Sequence, residues 1–408
     1  MKVFIIAYAC EPNRGSEPGL GWNISGEMAR RHSVTAVVRA NNRGKIEDYL
    51  AAHPDAPQSK IHFLYHDIQG IRRLFKKHIP LGDQIYFSAW LKSVSEHYKD
   101  EFSNYDIVHQ LTFSPFFVKP WGAEYTNRYV WGPIGGGGGP DARFPRGFKT
   151  RGVGNVSVEC LYKFISWYVY SPLAMGFSSL RKKVAAITFK AEAFSIGFPV
   201  MERQVSAVVQ ETGYDGEFRE RAYKSEKHPL KVVAVGRMIP HKGFEFAVKG
   251  FNEFVSNGGE GEFHIYGDGP LRKELETLGG NVIFHGNVNN SEVHQALDSA
   301  DVFLHGSFIE AAAWSILEAM VHGVPVVCQN RSGMADMVTE ACGTKVPVIS
   351  PRDLISRFAS ALQEYYADPE MIARKGRAGQ ERVRECYTWR RSGDLMDEVY
   401  KRVLESKR

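Results

Sequence analysis

The feature that most constrains the fold is the regular alternation of short apolar runs with amphipathic segments, in two separate series. The first series begins with KVFIIAYA, GLGWNISGEMARR and HSVTAVVRA and continues with DIVHQLT and RYVWGPIG. The second restarts at LKVVAVGRM and runs through GEFHIYGDG, NVIFHGNV and DVFLHGS to VPVVCQN. Strands that alternate with helices predict parallel sheets covered by helices on both faces. Two such series predict an α/β protein with two doubly wound domains.

The chain length agrees with two domains, because 408 residues exceed the ~250–300 at which single cores stop growing. The polar, turn-rich segment 213–230 precedes the second series, either as the linker or as a loop just inside the second domain. Ligands of such folds bind outside the carboxyl ends of the strands. Two domains that face each other are therefore expected to form a cleft.

The cysteines and the amino terminus bear on the cellular compartment. The five cysteines are widely spaced without a CxxC pair, which favours free thiols in a reducing compartment over disulfides or a zinc site. The apolar run in MKVFIIAYAC is at the short limit for a signal peptide and leads directly into a Gly-rich turn, as a first strand would. No uncharged apolar stretch reaches the ~18 residues of a membrane span.

The formal net charge of +5 is unevenly distributed. Residues 1–205 hold 26 Lys and Arg against 17 Asp and Glu, a net +9, and the remainder holds 25 against 29, a net −4. A basic first half suits an anionic partner such as a phosphate-bearing ligand, a nucleic acid or a lipid surface; ordinary scatter is the alternative. The basic, aromatic segments 71–92 and 161–183 suit either docking on an anionic bilayer or core packing.

Two carboxylates, Glu310 and Glu318, bracket a mostly apolar run in EAAAWSILEAM. The preceding ADVFLHGSFIE predicts a strand at Val302–His305 followed by a loop, and a helix is expected to start near Ala312. Glu310 would then lie in the loop at the strand's carboxyl end, and Glu318 about two turns inside the helix. If the first turns of the helix point at the crevice, both carboxylates can face one ligand.

Several other stretches are candidates for ligand contact. In VGRMIPHKG, Arg237 and Lys242 suit a diphosphate, and a solvated loop is the alternative. The glycines of RGSEPGLGW and WGPIGGGGGP allow either a close backbone approach to a ligand or a flexible loop. His109 ends a strand, where a lone His is more often structural than catalytic. No DxD motif occurs, so no obvious carboxylate pair would hold a nucleotide-bound metal.

The second half resembles the retaining glycosyltransferases of family GT4, which have the GT-B fold. The matching pieces follow the family's order, namely VGRMIPHKG, GDGP, VIFHGNV and ADVFLHGSFIEAAAWSILEAMVHGVPVV. The match covers most of 231–395 and, more thinly, the first strand–turn–helix, DIVH and GPIGG. It implies two Rossmann-like domains facing across a cleft. Residues 1–200, completed by a C-terminal helix at about 388–408, would form the acceptor side, and 201–387 would bind the nucleotide sugar.

The resemblance also implies residue roles. Glu318 would bond the donor ribose and Glu310 a ring hydroxyl of the donor sugar, while Arg237 and Lys242 hold the diphosphate in place of a metal. The amides of Ala312–Trp314 would approach the sugar and diphosphate at the helix N-terminus. The catalytic candidates are Glu310, Arg237, Lys242 and His109. The donor-binding candidates are Glu318, Gly236, Ala312, Ala313, Trp314, Ser315, Asn287 and Gly267, and the acceptor or cleft-loop candidates are Gly15, Gly19, Gly135 and Gly136.

The function implied by the resemblance is transfer of a hexose-type sugar, with retained anomeric configuration, from a nucleotide sugar such as a UDP- or GDP-sugar. The acceptor would be a glycan or a lipid-linked molecule in polysaccharide or glycolipid biosynthesis. No metal, other cofactor or nucleic acid is expected. The expected location is cytoplasmic, with an anionic membrane surface as a further, peripheral partner. Many relatives have Gly-Phe-Gly after the first glutamate, where this chain has Ala311-Ala312-Ala313-Trp314, and Trp314 would narrow the sugar pocket.

Three other functions stay open at this point. The first is another GT-B enzyme, such as a sugar-nucleotide epimerase or a phosphorylase. The second is a non-catalytic GT-B binding subunit, against which the retained Arg237, Lys242, Glu310 and Glu318 argue. The third is a nucleic-acid-binding protein, which lacks the expected aromatic or helix-turn-helix signals.

Overall fold

The computed structural model of the chain describes residues 1–68, 82–116, 118–135, 181–196, 198, 200–218 and 220–406. These residues divide into two compact units. Unit 1 holds the described residues within 1–137, 161–213 and 389–408, and unit 2 holds those within 214–388. None of the described helices is both long enough and apolar enough to cross a bilayer.

Unit 1 is built on a parallel sheet of seven strands in the order β3-β2-β1-β4-β5-β6-β7. The strands are β1 (Lys2–Ala7), β2 (Ser33–Arg39), β3 (His62–His66), β4 (Ile107–Gln110), β5 (Tyr129–Ile134), β6 (Ala186–Phe189) and β7 (Val205–Val208). The described helices are α1 (Ser16–Ala29), α2 (Arg43–Ala52), α3 (Gly82–His97), α4 (Glu192–Ser195) and the C-terminal helix (Trp389–Glu405).

The central strand β1 is covered on both faces. The Phe4 ring packs edge-on against Phe102, which follows α3, with ring centroids 5.3 Å apart. Ile5, the next residue of β1, points to the other face of the sheet. Its partner on β4 is His109, whose ring contacts Tyr400 of the C-terminal helix on that face. This explains why the β1 run VFIIA is buried along its whole length.

The C-terminal helix belongs to unit 1, although the chain reaches it only after unit 2. Arg31, just after α1, forms an ion pair with Asp394 at 2.6 Å. The neighbouring His32 lies 2.8 Å from Asp397. These contacts join the two ends of the chain in one unit.

Unit 2 is built on a parallel sheet of six strands in the order β10-β9-β8-β11-β12-β13. The strands are β8 (Leu230–Val235), β9 (Gly261–Tyr266), β10 (Val282–Gly286), β11 (Val302–His305), β12 (Val326–Gln329) and β13 (Gly343–Val346). The helices are α5 (Phe244–Ser256), α6 (Arg272–Glu276), α7 (Asn290–Ser299), α8 (Trp314–Val321), α9 (Ser332–Met337), α10 (Pro351–Ala367) and α11 (Pro369–Cys386).

Two hydrophobic cores lie on opposite faces of this sheet. Val302 and Leu304 of β11 pack in one core, with residues of α5 and α10. Phe303, which points the other way, packs in the second core with residues of α8 and α11. The expected α/β class with two doubly wound parallel sheets is confirmed.

The division between the units falls after Gly213, and not at the expected residue 200. The reason is β7, which pairs in register with β6, Ala186 opposite Val205. This pairing ties residues 201–213 to the first sheet. The polar segment that follows therefore starts inside unit 2.

Candidate functional site

The loops that follow β8, β9 and β10 in unit 2 are packed backbone against backbone. Gly236 donates its N–H to the Tyr266 carbonyl at 2.9 Å. Gly267 (φ 122°) has no room for a side chain, because a Cβ there would collide with the Gly236 carbonyl oxygen. Its N–H donates to the Gly286 carbonyl at 2.7 Å, directly before the exposed Asn287. Gly236, Gly267 and Asn287 thus lie at the same carboxyl edge of the sheet, as parallel topology requires.

The loops after β8 and β11 are also packed closely. A short 3-10 helix, Pro240–Lys242, ends at Gly243 in the left-handed conformation (φ 63°), where a Cβ would collide with the Gly306 carbonyl oxygen. The Phe308 N–H donates to the His241 carbonyl at 2.8 Å. This packing brings the Lys242 ammonium onto the Glu310 carboxylate, and the two groups form an ion pair.

Glu310 is a largely buried carboxylate that its neighbours keep ionised. Its Oε1 accepts a hydrogen bond from Ser307 Oγ at 2.9 Å in addition to the Lys242 contact. His305 Nε2 lies 3.9 Å from the same oxygen. Burial would raise the pKa of Glu310, but the Lys242 ammonium and the Ser307 hydrogen bond hold that pKa below its usual value. Burial lowers the pKa of His305 to about 4, so its imidazole is neutral at pH 7.

Arg237 lies in the loop that carries Lys242, and its side chain is exposed. In the described part of the chain it forms no ion pair with a carboxylate. The loop therefore presents one cation that is free to meet an anion and one that is already paired with Glu310.

Glu318 lies on the second turn of α8 and lines a cavity of 490 Å³ between α7 and α8. Burial raises the pKa of Glu318 to about 7. The Trp314 ring lines the same cavity, as do His294 and His322. A carboxylate at one wall of such a cavity is an acceptor for hydroxyl groups of a ligand.

The helix that carries Glu318 starts two residues later than expected, at Trp314, with Ala313 as its N-cap. Ala312 and Ala313 are buried, whereas Trp314 and Ser315 are partly exposed. A run of three alanines favours a helix, but Glu310 and Ala311 are held against α9. The Gly333 N–H donates to the Glu310 carbonyl at 2.8 Å, and a Cβ on Gly333 would collide with the Ala311 carbonyl oxygen.

His109 was expected among the catalytic residues, and the structure corrects this. The side chain is fully buried in unit 1 and burial lowers its pKa to about 4. Its Nε2–H donates to the Gly132 carbonyl at 2.7 Å, so its Nδ1 accepts from the Tyr400 hydroxyl at 2.6 Å. Both ring nitrogens are used inside the core, and His109 holds the C-terminal helix to the sheet.

Three of the glycines expected to approach an acceptor, Gly15, Gly19 and Gly135, lie in closely packed parts of unit 1. Gly15 is the N-cap of α1. A Cβ on Gly19 would collide with the Arg14 carbonyl oxygen, so the loop before α1 folds back on the helix. Gly135 lies against Lys190, with its Cβ position 3.0 Å from the Lys190 Cδ. Gly136 lies outside the described residues.

A buried charge cluster at the carboxyl edge of unit 1 was missed by sequence reasoning. Lys190, directly after β6, forms ion pairs with both Glu17 and Glu211. Glu17 also accepts a hydrogen bond from the Phe113 N–H at 2.9 Å. Burial would lower the pKa of Lys190, but the two carboxylates raise it well above its usual value. The cluster joins α1, β6 and the segment after β7.

One sequence pattern could have identified both Lys190 and His305 as candidate site residues. Each is a polar residue that directly follows or ends a short apolar strand, AITF for Lys190 and VFL for His305. Parallel strands end together at one edge, so such residues converge there. Among the described residues, no group of three or more His, Cys, Asp or Glu side chains is arranged to hold a metal ion.

Residues 229–368 match the family model of the glycosyl transferases group 1. They form a group 1 glycosyltransferase domain. This domain contains the whole unit 2 site, from Gly236 to Glu318. It covers about a third of the chain, so the match alone assigns no activity to the protein as a whole.

Curated glycosyltransferases are similar to part of this chain. The 2-deoxystreptamine glucosyltransferase of Streptomyces kanamyceticus is 27% identical over 180 residues, 43% of this chain and 46% of that protein. The putative colanic acid biosynthesis glycosyltransferase WcaL of Escherichia coli K12 is 31% identical over 159 residues, 36% of this chain and 39% of that one. The matched region thus spans less than half of these relatives.

Solved structures support the GT-B fold for the two described units. Sucrose-phosphate synthase from Thermosynechococcus elongatus has a TM-score of 0.60 at 15% identity and covers 99% of both chains. Anabaena HepE in complex with UDP and glucose has a TM-score of 0.57 at 15% identity, over 98% of this chain and 99% of that chain. The relatives are glycosyltransferases, and they favour neither an epimerase, a phosphorylase nor a non-catalytic subunit for the group 1 domain.

Proposed function

We propose that the protein is a metal-independent, retaining glycosyltransferase of family GT4. It moves a hexose-type sugar from a nucleotide sugar, such as a UDP- or GDP-sugar, to a glycan or lipid-linked acceptor in polysaccharide or glycolipid biosynthesis. The observation that carries the proposal is the Lys242–Glu310 pair at the carboxyl edge of a group 1 domain, with Glu318 in the same domain. The names of the curated relatives support the same class.

The cations of the β8 loop act on the diphosphate. Arg237 and Lys242 neutralise its oxygens and stabilise the negative charge that grows on the leaving nucleotide as the glycosidic bond breaks. This charge stabilisation takes the place of a divalent cation. Activity should therefore survive EDTA, and loss of activity that magnesium restores would contradict this part of the proposal.

The two carboxylates bind hydroxyl groups at different parts of the donor. Glu318 accepts hydrogen bonds from the ribose, since it lines the α7–α8 cavity next to Trp314. Glu310, kept ionised by Lys242 and Ser307, accepts from a ring hydroxyl of the sugar and fixes the anomeric carbon relative to the acceptor.

The function is tested first by binding and then by turnover. A thermal-shift screen of UDP-, GDP-, ADP- and dTDP-sugars should reveal a donor, because a ligand at 100 times its Kd adds ~2.7 kcal/mol of stability. The donor found is then incubated with candidate acceptors. Release of the nucleoside diphosphate only when acceptor is present supports transfer, and equal release without acceptor, with water taking the sugar, would contradict it. NMR of the product tests whether the donor's anomeric configuration is retained.

The location proposed is the cytoplasm, with peripheral binding to an anionic membrane. The support is the basic first half of the chain. Its clusters at 72–77 and 161–180 lie outside the described residues, whereas Lys182 and Lys183 are exposed on a short 3-10 helix. Binding to anionic but not neutral vesicles, weakened by salt and by charge reversal at 72–77, is expected. No binding at low salt would leave a soluble acceptor, and a filter-binding assay should detect no nucleic-acid binding.

A further inference from the structure

His305 is a polar side chain buried at the end of an apolar strand. The three residues before it, Val302, Phe303 and Leu304, belong to the two cores of unit 2. His305 itself is only 5% exposed, and within the described part of the chain its Nε2 has no hydrogen-bond partner. An unpaired buried polar atom destabilises the folded state, and leucine at this position would avoid that penalty. The imidazole therefore lowers the stability of the folded state at this position.

The unpaired nitrogen faces the Glu310 carboxylate. His305 Nε2 lies 3.9 Å from Glu310 Oε1, which is beyond hydrogen-bond distance. The same oxygen is already engaged by the Lys242 ammonium and by Ser307 Oγ. The imidazole is thus a further hydrogen-bond donor close to this oxygen, without being bonded to it.

In the proposed function, the Lys242 ammonium has two anionic partners. It pairs with Glu310 in the structure, and it binds the diphosphate of the donor. If the ammonium turns to the diphosphate, Glu310 keeps only the Ser307 hydrogen bond while it stays largely buried. Removing one partner of a buried charge pair is strongly destabilising, because the other charge is left uncompensated. A replacement donor would reduce that cost.

We propose that His305 is the replacement donor, a positioning residue whose Nε2–H bonds Glu310 Oε1 when Lys242 engages the diphosphate. The approach needed is about 1 Å, from the present separation to the usual N–H···O distance of ~2.9 Å. A neutral imidazole protonated on Nε2 can donate this bond, and the low pKa of His305 keeps it neutral. The inference rests on the proposed function, because it requires that Lys242 binds a diphosphate.

The test is a double-mutant cycle read out by binding rather than by activity. Isothermal titration measures the Kd of whichever nucleoside diphosphate, among UDP, GDP, ADP and dTDP, the wild type binds most tightly. The variants are His305→Leu, Glu310→Gln and the combination. His305→Leu should weaken binding about 10-fold when Glu310 is present, the ~1.4 kcal/mol scale of one hydrogen bond to a charged group. In the Glu310→Gln background it should change Kd less than about 2-fold, because the neutral amide needs no replacement charge partner.

Two further variants make the result specific. His305→Gln keeps an N–H donor and should restore most of the lost affinity. His264→Leu is the matched control, since His264 is also a buried histidine on a strand of unit 2 but hydrogen-bonds to His285 at 3.0 Å instead. It should leave Kd within about 2-fold of wild type. Should His305→Leu fail to fold, His305→Met takes its place in the cycle.

The outcomes separate this inference from the function on which it rests. Equal weakening in both Glu310 backgrounds, or no weakening in either, overturns the role of His305. If the wild type binds none of the four nucleotides, or if Lys242→Ala binds as tightly as wild type, the proposed function fails and the role of His305 fails with it. If Lys242→Ala weakens binding but the cycle shows no coupling, only the role of His305 is wrong.

Discussion

Replacing Glu318 with glutamine should make the protein more stable above neutral pH while it weakens donor binding. The structure gives the reason, since Glu318 is buried on α8 and burial is the cause that raises its pKa from 4.5 to about 7. The carboxylate is therefore ionised at pH 8 at the expense of folding stability. Glutamine has the same shape and carries no charge.

The sign and the size follow from proton linkage. A carboxyl group with a raised pKa in the folded state holds its proton more tightly than in the unfolded chain. Its contribution to stability is thus fully present below pH 4.5 and is lost as the pH rises through about 7. The shift from 4.5 to about 7 corresponds to up to about 3 kcal/mol at pH 8. Glu318→Gln removes this pH-dependent loss.

The assay is thermal unfolding of wild type and Glu318→Gln at pH 5 and pH 8. The variant should gain on the order of 5–10 °C over wild type at pH 8 and much less at pH 5, at ~2–4 °C per kcal/mol for a domain of this size. Glu274→Gln, at an exposed position of α6, is the control and should shift neither midpoint. Equal shifts at both pH values, or a loss of stability at pH 8, would refute the reasoning.

The remaining predictions concern catalysis and unit 1. Arg237→Ala and Lys242→Ala should each lower kcat at least ~100-fold with folding intact, the scale of one lost preorganised charge donor; wild-type turnover in both would exclude the diphosphate clamp. Glu310→Ala should lower kcat more than it raises the donor KM, and Glu318→Ala should do the reverse; steady-state kinetics showing the opposite pattern would contradict the assigned roles. Lys190→Met should destabilise by about 3–5 kcal/mol, because two buried carboxylates lose their shared cation, and Lys190→Arg should lose less; an unchanged midpoint for the Met variant would show that the cluster contributes little.

Much of the fold could be predicted because periodicity is a local property. The VFLH strand of unit 2 has the bounds expected from its apolar run, Val302–His305. Four strands of unit 1, namely β1, β2, β4 and β5, likewise lie within apolar runs named from the sequence, whereas β3, β6 and β7 were not predicted. The boundary between the units could not be predicted in the same way. The boundary depends on whether β7 pairs with β6. Pairing between strands separated by a loop of about fifteen residues produces no periodic pattern in the local sequence.

The unit 2 site could be predicted in part for a related reason. Carboxyl ends of parallel strands share one edge, so candidate ligand-binding residues were expected after β8 and after β11, and the structure brings Lys242 and Glu310 of these two loops together. His109 shows the limit of that argument. It also ends a strand, but its ring points to the sheet face where the C-terminal helix supplies Tyr400, a contact nearly three hundred positions away in sequence. Which face a strand end presents depends on its register, which the sequence does not show.

Two polar groups of unit 2 are placed at a cost to folding stability. Burial raises the pKa of Glu318 on α8, and His305 at the end of β11 has an imidazole nitrogen without a hydrogen-bond partner in the described structure. Glutamine and leucine would avoid both costs without a change of fold. Polar groups that lower folding stability are typical of a site that binds a ligand, where function and not stability determines the residue. A ligand with vicinal hydroxyls would bond Glu318, and a diphosphate that takes Lys242 from Glu310 would let His305 bond the Glu310 carboxylate. Vicinal hydroxyls and a diphosphate are the chemistry of a nucleotide sugar.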